Sequence, residues 1–149
     1  ALAKGGWLNV VIDHHEAVEA AFDAVNRAKS AGARRAAQKR LALLLNGHSL
    51  AEEVVLYPAM ALSDQKAPSG EAYSEQSAAK VQMAALEELD PMSQDYLDKL
   101  EHLRAAVSHH VYEEESDWFP TLRRALDSKL QSRLTRRYQE EFERYVGER

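Results

Sequence analysis

The chain has 149 residues, of which 45% are hydrophobic and 29% charged, with no cysteine and a formal net charge of −5. That length suits one domain with its own core, and the lack of thiols excludes disulfides, thiolate zinc sites, iron–sulfur clusters and cysteine nucleophiles. Any metal must therefore be held by histidine and carboxylate. The longest uncharged apolar runs, such as residues 7–12 and 41–45, fall far short of the roughly 20 residues of a membrane span, so no membrane is expected as a partner. No basic leader precedes an apolar stretch at the start, and a cytoplasmic location is the expectation. Residues 121–149 carry eight Lys/Arg against five Asp/Glu, a balance of +3, which leaves −8 on the rest. A duplex-binding domain would show a dense basic face, so nucleic acid is not expected as a partner either.

Glycine and proline gather at Gly5-Gly6, Gly32, Pro68 to Gly70, Pro91 and Gly147, and between these breaks the chain is rich in Ala, Leu, Glu, Gln and Arg. This punctuation predicts helices over about 7–29, 34–63, 71–89, 94–126 and 129–145, with no sustained strand alternation. Asp90-Pro91 reads as a stop, and Ser93 with Asp95 as the next start. Short connections favour antiparallel neighbours. The expected fold is all-α: an up-and-down antiparallel four-helix bundle over 1–126, followed by an additional amphipathic helix over 127–149. That last segment carries Leu130, Leu134, Tyr138 and Phe142 on one strip with Arg133, Arg136 and Arg137 beside it. The strip suits docking on the bundle or on a protein partner, the bundle being favoured.

Alternating steps of three and four keep side chains on one helix face. The first helix presents Val11, His15, Val18, Phe22 and Val25. The second presents Leu41, Leu44, His48, Glu52, Val55 and Ala59. The fourth presents Tyr96, Leu100, Leu103, Val107, His110, Glu114 and then Asp117 or Trp118. Each apolar stripe thus carries His or Glu, whose burial costs several kcal/mol unless they are paired or bound to metal. His48, Glu52, Glu53 and Pro58 recur as His110, Glu114, Glu115 and Pro120, so H-x-x-x-E-E-x-x-x-x-P occurs twice, 62 residues apart. A His and a Glu at i and i+4 lie about 6 Å apart along the axis on nearly one face, close enough to share a metal. One such pair is commonplace in a helical chain. Two, both on inward stripes, are not.

The stretches DHHEAVEAAF at 13–22, GHSLAEEVVLYPAM at 47–60 and SHHVYEEESDWFPTLRRAL at 108–126 resemble the hemerythrin-like, HHE cation-binding domains, and the resemblance covers most of residues 8–126. It implies a four-helix bundle around a non-haem di-iron centre, bound by His from all four helices and bridged by carboxylates from the second and fourth. His15, His48, Glu52, His110 and Glu114 match those motif positions, with the two Glu as the bridges. The chemistry agrees, since imidazole and carboxylate suit iron, and manganese or zinc also fit such a donor set. The ferritin-like carboxylate proteins use E-x-x-H instead.

The third helix departs from the family. Where E-H-x-x-V-K is usual, the chain reads Glu75-Gln76-Ser77-Ala78-Ala79-Lys80, so Gln76 stands where a His should be. An amide oxygen is a poorer iron ligand, and a mononuclear centre is an alternative to a di-iron one. Compensation by His14, His109 or His102 is a further expectation. His14 lies on a competing stripe with Trp7, Val11, Val18 and Val25, but His15 has the family's spacing to Val18 and Phe22. His110 is preferred to His109 because it continues the Leu103 and Val107 stripe; the competing pair is His109 with Glu113. His102 reads as a surface residue. Glu53, Glu113 and Glu115 are either a solvated acidic face or hydrogen-bonding neighbours of the centre. Lys80 reads as an ion-pairing residue, and Leu56, Tyr57, Trp118 and Phe119 read as core residues closing the bundle end.

The resemblance implies a protein that binds or senses dioxygen, nitric oxide or peroxide, responds to stress or handles iron. The missing third-helix His argues against reversible oxygen carriage. No Gly-rich phosphate loop or G-x-S-x-G elbow is present, no catalytic residue is assigned, and a binding role is expected over an enzymatic one. The competing reading is a metal-free helical interaction module derived from the same fold.

Overall fold

The computed structural model describes residues 5–147. Its first helix, α1, spans Gly6–Arg27. The second, α2, runs Ala31–Ala51, widens into a π-helical turn at Glu52–Leu56 and closes with Tyr57–Leu62. The third, α3, is Lys66–Glu87. The fourth, α4, repeats the second, with Gln94–Glu113, a π-helical turn at Glu114–Trp118 and Phe119–Ala125. The fifth, α5, is Ser128–Gly147. No strand occurs among the described residues, and no helix there is long and apolar enough to cross a membrane. The first four helices form the up-and-down bundle, and α5 packs against α1 and α2.

Local sequence sets the boundaries. Ser30 Oγ accepts from Ala33 N–H at 3.2 Å and Ser93 Oγ from Tyr96 N–H at 3.1 Å, so each serine caps the helix that follows. α3 starts at Lys66, earlier than the composition suggests, because Pro68 falls in the first turn, where its missing N–H costs nothing. Each π-turn starts at a repeated Glu and is followed one residue later by the repeated proline. Tyr57 N–H and Phe119 N–H reach back to Glu52 O and Glu114 O, five residues away. The wider turn makes room for a proline that cannot donate within the helix.

The core has two apolar clusters with a polar layer between them. One joins Trp7, Val11, Val55, Tyr57, Phe119, Leu122, Leu134 and Tyr138; the other joins Val18, Phe22, Val25, Leu41, Leu86, Tyr96, Leu100 and Leu103. Three of the stripes cross that layer at His15, His48 with Glu52, and His110 with Glu114. The far end is closed by Arg34, buried on α2, whose guanidinium donates to Val25 O at 2.9 Å, Asn26 O at 3.0 Å, Ala28 O at 2.9 Å and Pro91 O at 2.8 Å. It thereby satisfies the carbonyls at the end of α1 and holds the α3–α4 connection.

α5 is docked in cis. Leu134 and Tyr138 are buried, Phe142 packs against them, and Arg133, Arg136 and Arg137 face outward. Trp7 N–H donates to Thr135 Oγ1 at 2.9 Å and Trp7 Nε1 to Gln131 Oε1 at 2.6 Å, tying the start of α1 to α5. The approach of α5 to α2 is close at Gly47, where a Cβ would lie 2.8 Å from Val146 Cγ2 and 3.1 Å from Tyr145 Cδ1, so those side chains would have to give way.

Candidate metal centre

In the polar layer, donor atoms from His15, His48, Glu52 and Glu114 all lie within 4.8 Å of one another, and all four residues are buried. His15 Nε2 is 3.1 Å from Glu114 Oε1, His48 Nε2 is 3.1 Å from Glu52 Oε1, and His110 Nε2 is 3.1 Å from Glu114 Oε2. Three imidazoles from three helices therefore turn the same nitrogen, Nε2, toward two wholly buried carboxylates.

Each ring is gripped on its other side. His15 Nδ1 meets Glu115 Oε2 at 2.5 Å, His48 Nδ1 meets the Tyr138 hydroxyl at 2.7 Å, and His110 Nδ1 meets Glu75 Oε1 at 2.6 Å. Such outer contacts fix the tautomer and orientation of a metal-binding imidazole. Glu115 is visible in the repeated E-E pair. Glu75 stands at the Glu of the family's third-helix pattern and Tyr138 on the apolar strip of α5, and both reach the layer through tertiary packing.

Gln76 faces inward as the alignment with the family motif predicts. Its Nε2 donates to Glu52 Oε1 at 2.5 Å and to the Tyr57 hydroxyl at 2.6 Å. Sequence reasoning placed Tyr57 only in the core. It is in the core, yet its hydroxyl donates to Glu114 Oε2 at 2.7 Å, lies 3.2 Å from Glu52 Oε1 and stands 2.9 Å from His110 Nε2. In a regular α-helix, a residue five positions after Glu52 would sit about 140° away around the axis. The π-turn removes most of that offset and brings the phenol into the layer. The signal was Pro58, which forces the wider turn. Phe119 holds the equivalent place after Glu114, so the two halves present a phenol and a phenyl ring.

The remaining candidates lie elsewhere. His14 Nδ1 meets the Tyr138 hydroxyl at 2.7 Å and its ring stacks on Phe142 with centroids 3.9 Å apart. His109 is exposed and pairs with Glu113 Oε1 at 2.7 Å, and His102 is exposed. None of the three enters the cluster; Gln76 and Tyr57 occupy the space that the third-helix His would fill. Glu53 turns outward to Lys80 Nζ at 2.7 Å, the ion pair expected of Lys80. Of Asp117 and Trp118, it is Trp118 that is buried.

The electrostatics divide the two carboxylates. Burial and then the charge of Glu114 push Glu52 well above the usual carboxylate range. Burial works the same way on Glu114, but the charge and hydrogen bond of His110, with a further bond from His15, hold it well below. His110 would be lowered by burial, yet Glu114 and then Glu75 raise it to about 9. Burial and then His15 lower His48 well below its ordinary value, and burial and the two carboxylates raise the Tyr57 phenol. Among the described residues, two of the buried oxygens without a hydrogen-bond partner belong to the layer, Glu52 Oε2 and Gln76 Oε1. A buried acceptor of this kind is rare in a native fold, and a cation bound there satisfies it. The donor set of imidazole and carboxylate, with inward Nε2 atoms and orphaned oxygens, fits a divalent or trivalent transition metal.

A helical bundle with this polar layer defines a protein of the cation-binding bundle class. The profile of the hemerythrin HHE cation-binding domain matches residues 8–122, and the chain belongs to that family. The fold matches the crystal structure of a hemerythrin HHE cation-binding domain-containing protein from Mycobacterium kansasii, with a TM-score of 0.84, 20% identity and coverage of 97% of this chain and 90% of that one. A DNA nickase of Nostoc sp. is 33% identical over 85 residues, which is 57% of this chain but only 24% of the relative.

Proposed function

We propose that the chain binds non-haem iron in the polar layer, through His15, His48, Glu52, His110 and Glu114, with Tyr57 completing the donor set and Gln76 beside it. In this reading the protein binds or senses dioxygen, nitric oxide or peroxide, or handles iron, from a cytoplasmic location. The single observation that carries it is the common orientation of three gripped imidazoles around two buried carboxylates, one of which keeps an oxygen without a partner. Bound iron would supply redox chemistry and open coordination positions. The protein's own groups orient the donors and exclude bulk water, and His110 and Tyr57 keep their protons only in the metal-free chain.

A cavity of about 30 Å³ adjoins the layer, lined on one side by Val18, Leu45, Ala79 and Val107 and on the other by His48 and Gln76. It holds about one water-sized molecule, which suits a diatomic gas or a peroxide. The test is the visible spectrum of protein purified without air from iron-supplemented cells, then exposed to air and to nitric oxide. Bound iron with Tyr57 as a donor predicts a phenolate-to-iron charge-transfer band after oxidation that Tyr57→Phe removes. A colourless, iron-free protein that stays so on reconstitution would contradict the reading.

One observation favours a second reading, a metal-free helical interaction module: Gln76 Nε2 already donates to Glu52 Oε1 from within the protein. That reading predicts the same thermal stability with iron and with chelator, because a metal stabilises the native state only by binding it.

A further inference from the structure

We infer that Tyr138, from the fifth helix, is a positioning residue for the cation centre: it holds His48 at Nδ1 and relays to His14 which nitrogen of His48 carries hydrogen. Loading of the centre is thereby reported at the α1–α5 interface as a change of tautomer in a histidine that touches no cation. The inference rests on the cation-binding reading above and goes beyond it in assigning His14, Tyr138 and α5 a part in the same site.

The geometry is a three-group chain. The Tyr138 hydroxyl, wholly buried, lies 2.7 Å from His48 Nδ1 and 2.7 Å from His14 Nδ1. A phenol has one hydrogen, so it donates to one imidazole and accepts from the other. A neutral imidazole has one N–H to place, on Nδ1 or on Nε2. Three groups with one hydrogen each leave two consistent arrangements.

A cation on His48 Nε2 takes that nitrogen's lone pair, so the ring hydrogen must sit on Nδ1. His48 Nδ1 then donates to Tyr138, Tyr138 donates to His14 Nδ1, and His14 carries its hydrogen on Nε2. Without a cation, His48 Nε2 faces Glu52 Oε1 at 3.1 Å, an acceptor that a ring N–H satisfies and a lone pair does not. His48 Nδ1 then accepts from Tyr138, and Tyr138 accepts from a hydrogen on His14 Nδ1. Cation binding reverses the direction of both hydrogen bonds without moving a heavy atom or changing a charge. Because Tyr138 belongs to α5 and His14 stacks on Phe142 of the same helix, α5 carries the contacts through which the arrival of a cation is relayed.

The experiment is a titration of the full chain, labelled with nitrogen-15 at histidine, with Zn²⁺ as a diamagnetic probe. Long-range proton–nitrogen spectra assign the tautomer of each ring. The expected result is that His14 passes from the Nδ1–H to the Nε2–H form in step with zinc uptake. Tyr138→Phe should leave His14 indifferent to zinc and weaken zinc binding roughly 10- to 100-fold, with helical content unchanged. Zinc retained while His14 keeps its tautomer would overturn the relay and leave the cation site standing, as would Tyr138→Phe with full affinity and a His14 that still switches. Failure to retain zinc at all would overturn the cation-binding reading and the relay with it. Should Tyr138→Phe not fold, the wild-type titration alone decides.

Discussion

The closed end of the bundle and the polar layer between the apolar clusters bury polar groups in opposite ways. At the closed end, Arg34 is buried without a carboxylate, yet four backbone carbonyls at 2.8–3.0 Å take up its donors. Nearby, Gln38 Oε1 accepts from Tyr96 at 2.8 Å and from Arg35 at 2.9 Å. In the polar layer, Glu52 is buried as deeply, next to Glu114, and one of its oxygens has no partner. The Arg34 donors are taken up within the protein, whereas the layer is held in a form that a cation would complete. A buried polar residue on an apolar stripe is therefore ambiguous by itself, and the satisfaction of its hydrogen bonds separates a structural clamp from a binding site.

Substitutions in the two regions should have contrasting effects. The largest is the loss of all retained metal in Glu52→Ala with Glu114→Ala, read by elemental analysis after desalting; a double variant that keeps its iron would break the contrast. Arg34→Ala should cost about 3 kcal/mol of folding stability in denaturant titrations, because it strands several buried carbonyls. The same variant should keep its metal content per folded chain, and loss of metal there would show that the two regions are not separable. Glu52→Gln sharpens the comparison, since it removes a buried carboxylate beside another. It should raise the stability of metal-free protein by about 1 kcal/mol while iron binding is lost. A variant destabilised without metal would mean that the charge of Glu52 supports the fold.

The smallest effect is in pH. His110 is held protonated up to about 9 in the folded chain, against 6.5 for the ordinary side chain. The folded state binds the extra proton, so this contribution is fully present below 6.5 and is lost as pH rises through 9. Metal-free protein should therefore melt at progressively lower temperature between pH 7 and 9. Loaded protein, with His110 committed to the metal, should lack that decline and should release a proton from His110 on loading near neutral pH. Calorimetry in buffers of different ionisation enthalpy measures the release.

The fold was legible where periodicity and punctuation agree. Ser93 after Asp90-Pro91 marks the start of α4, and the stripe from Leu100 to Glu114 selects the face that turns inward. The resemblance to the HHE domains also named side chains that meet in the layer, since His15, His48, Glu52, His110 and Glu114 are each placed by their own helix. What stayed hidden depends on geometry that no single helix contains. Tyr57 enters the layer because a π-turn rotates it there, and only Pro58 hints at that turn. Glu75 and Tyr138 reach His110 and His48 from neighbouring helices, and their pairings follow from the docking of α3 and α5. His14 and His15 are adjacent and both polar, and the choice between them is made by the α5 surface that captures His14.

The central claim is that the polar layer is a cation site. The most direct measurement is the melting temperature of one protein preparation, stripped by chelator and then titrated without air with ferrous iron, with retained iron counted in parallel. The account predicts stoichiometric iron and a melting temperature that rises until the site is filled. No retained iron, with melting unchanged across the titration, would contradict it.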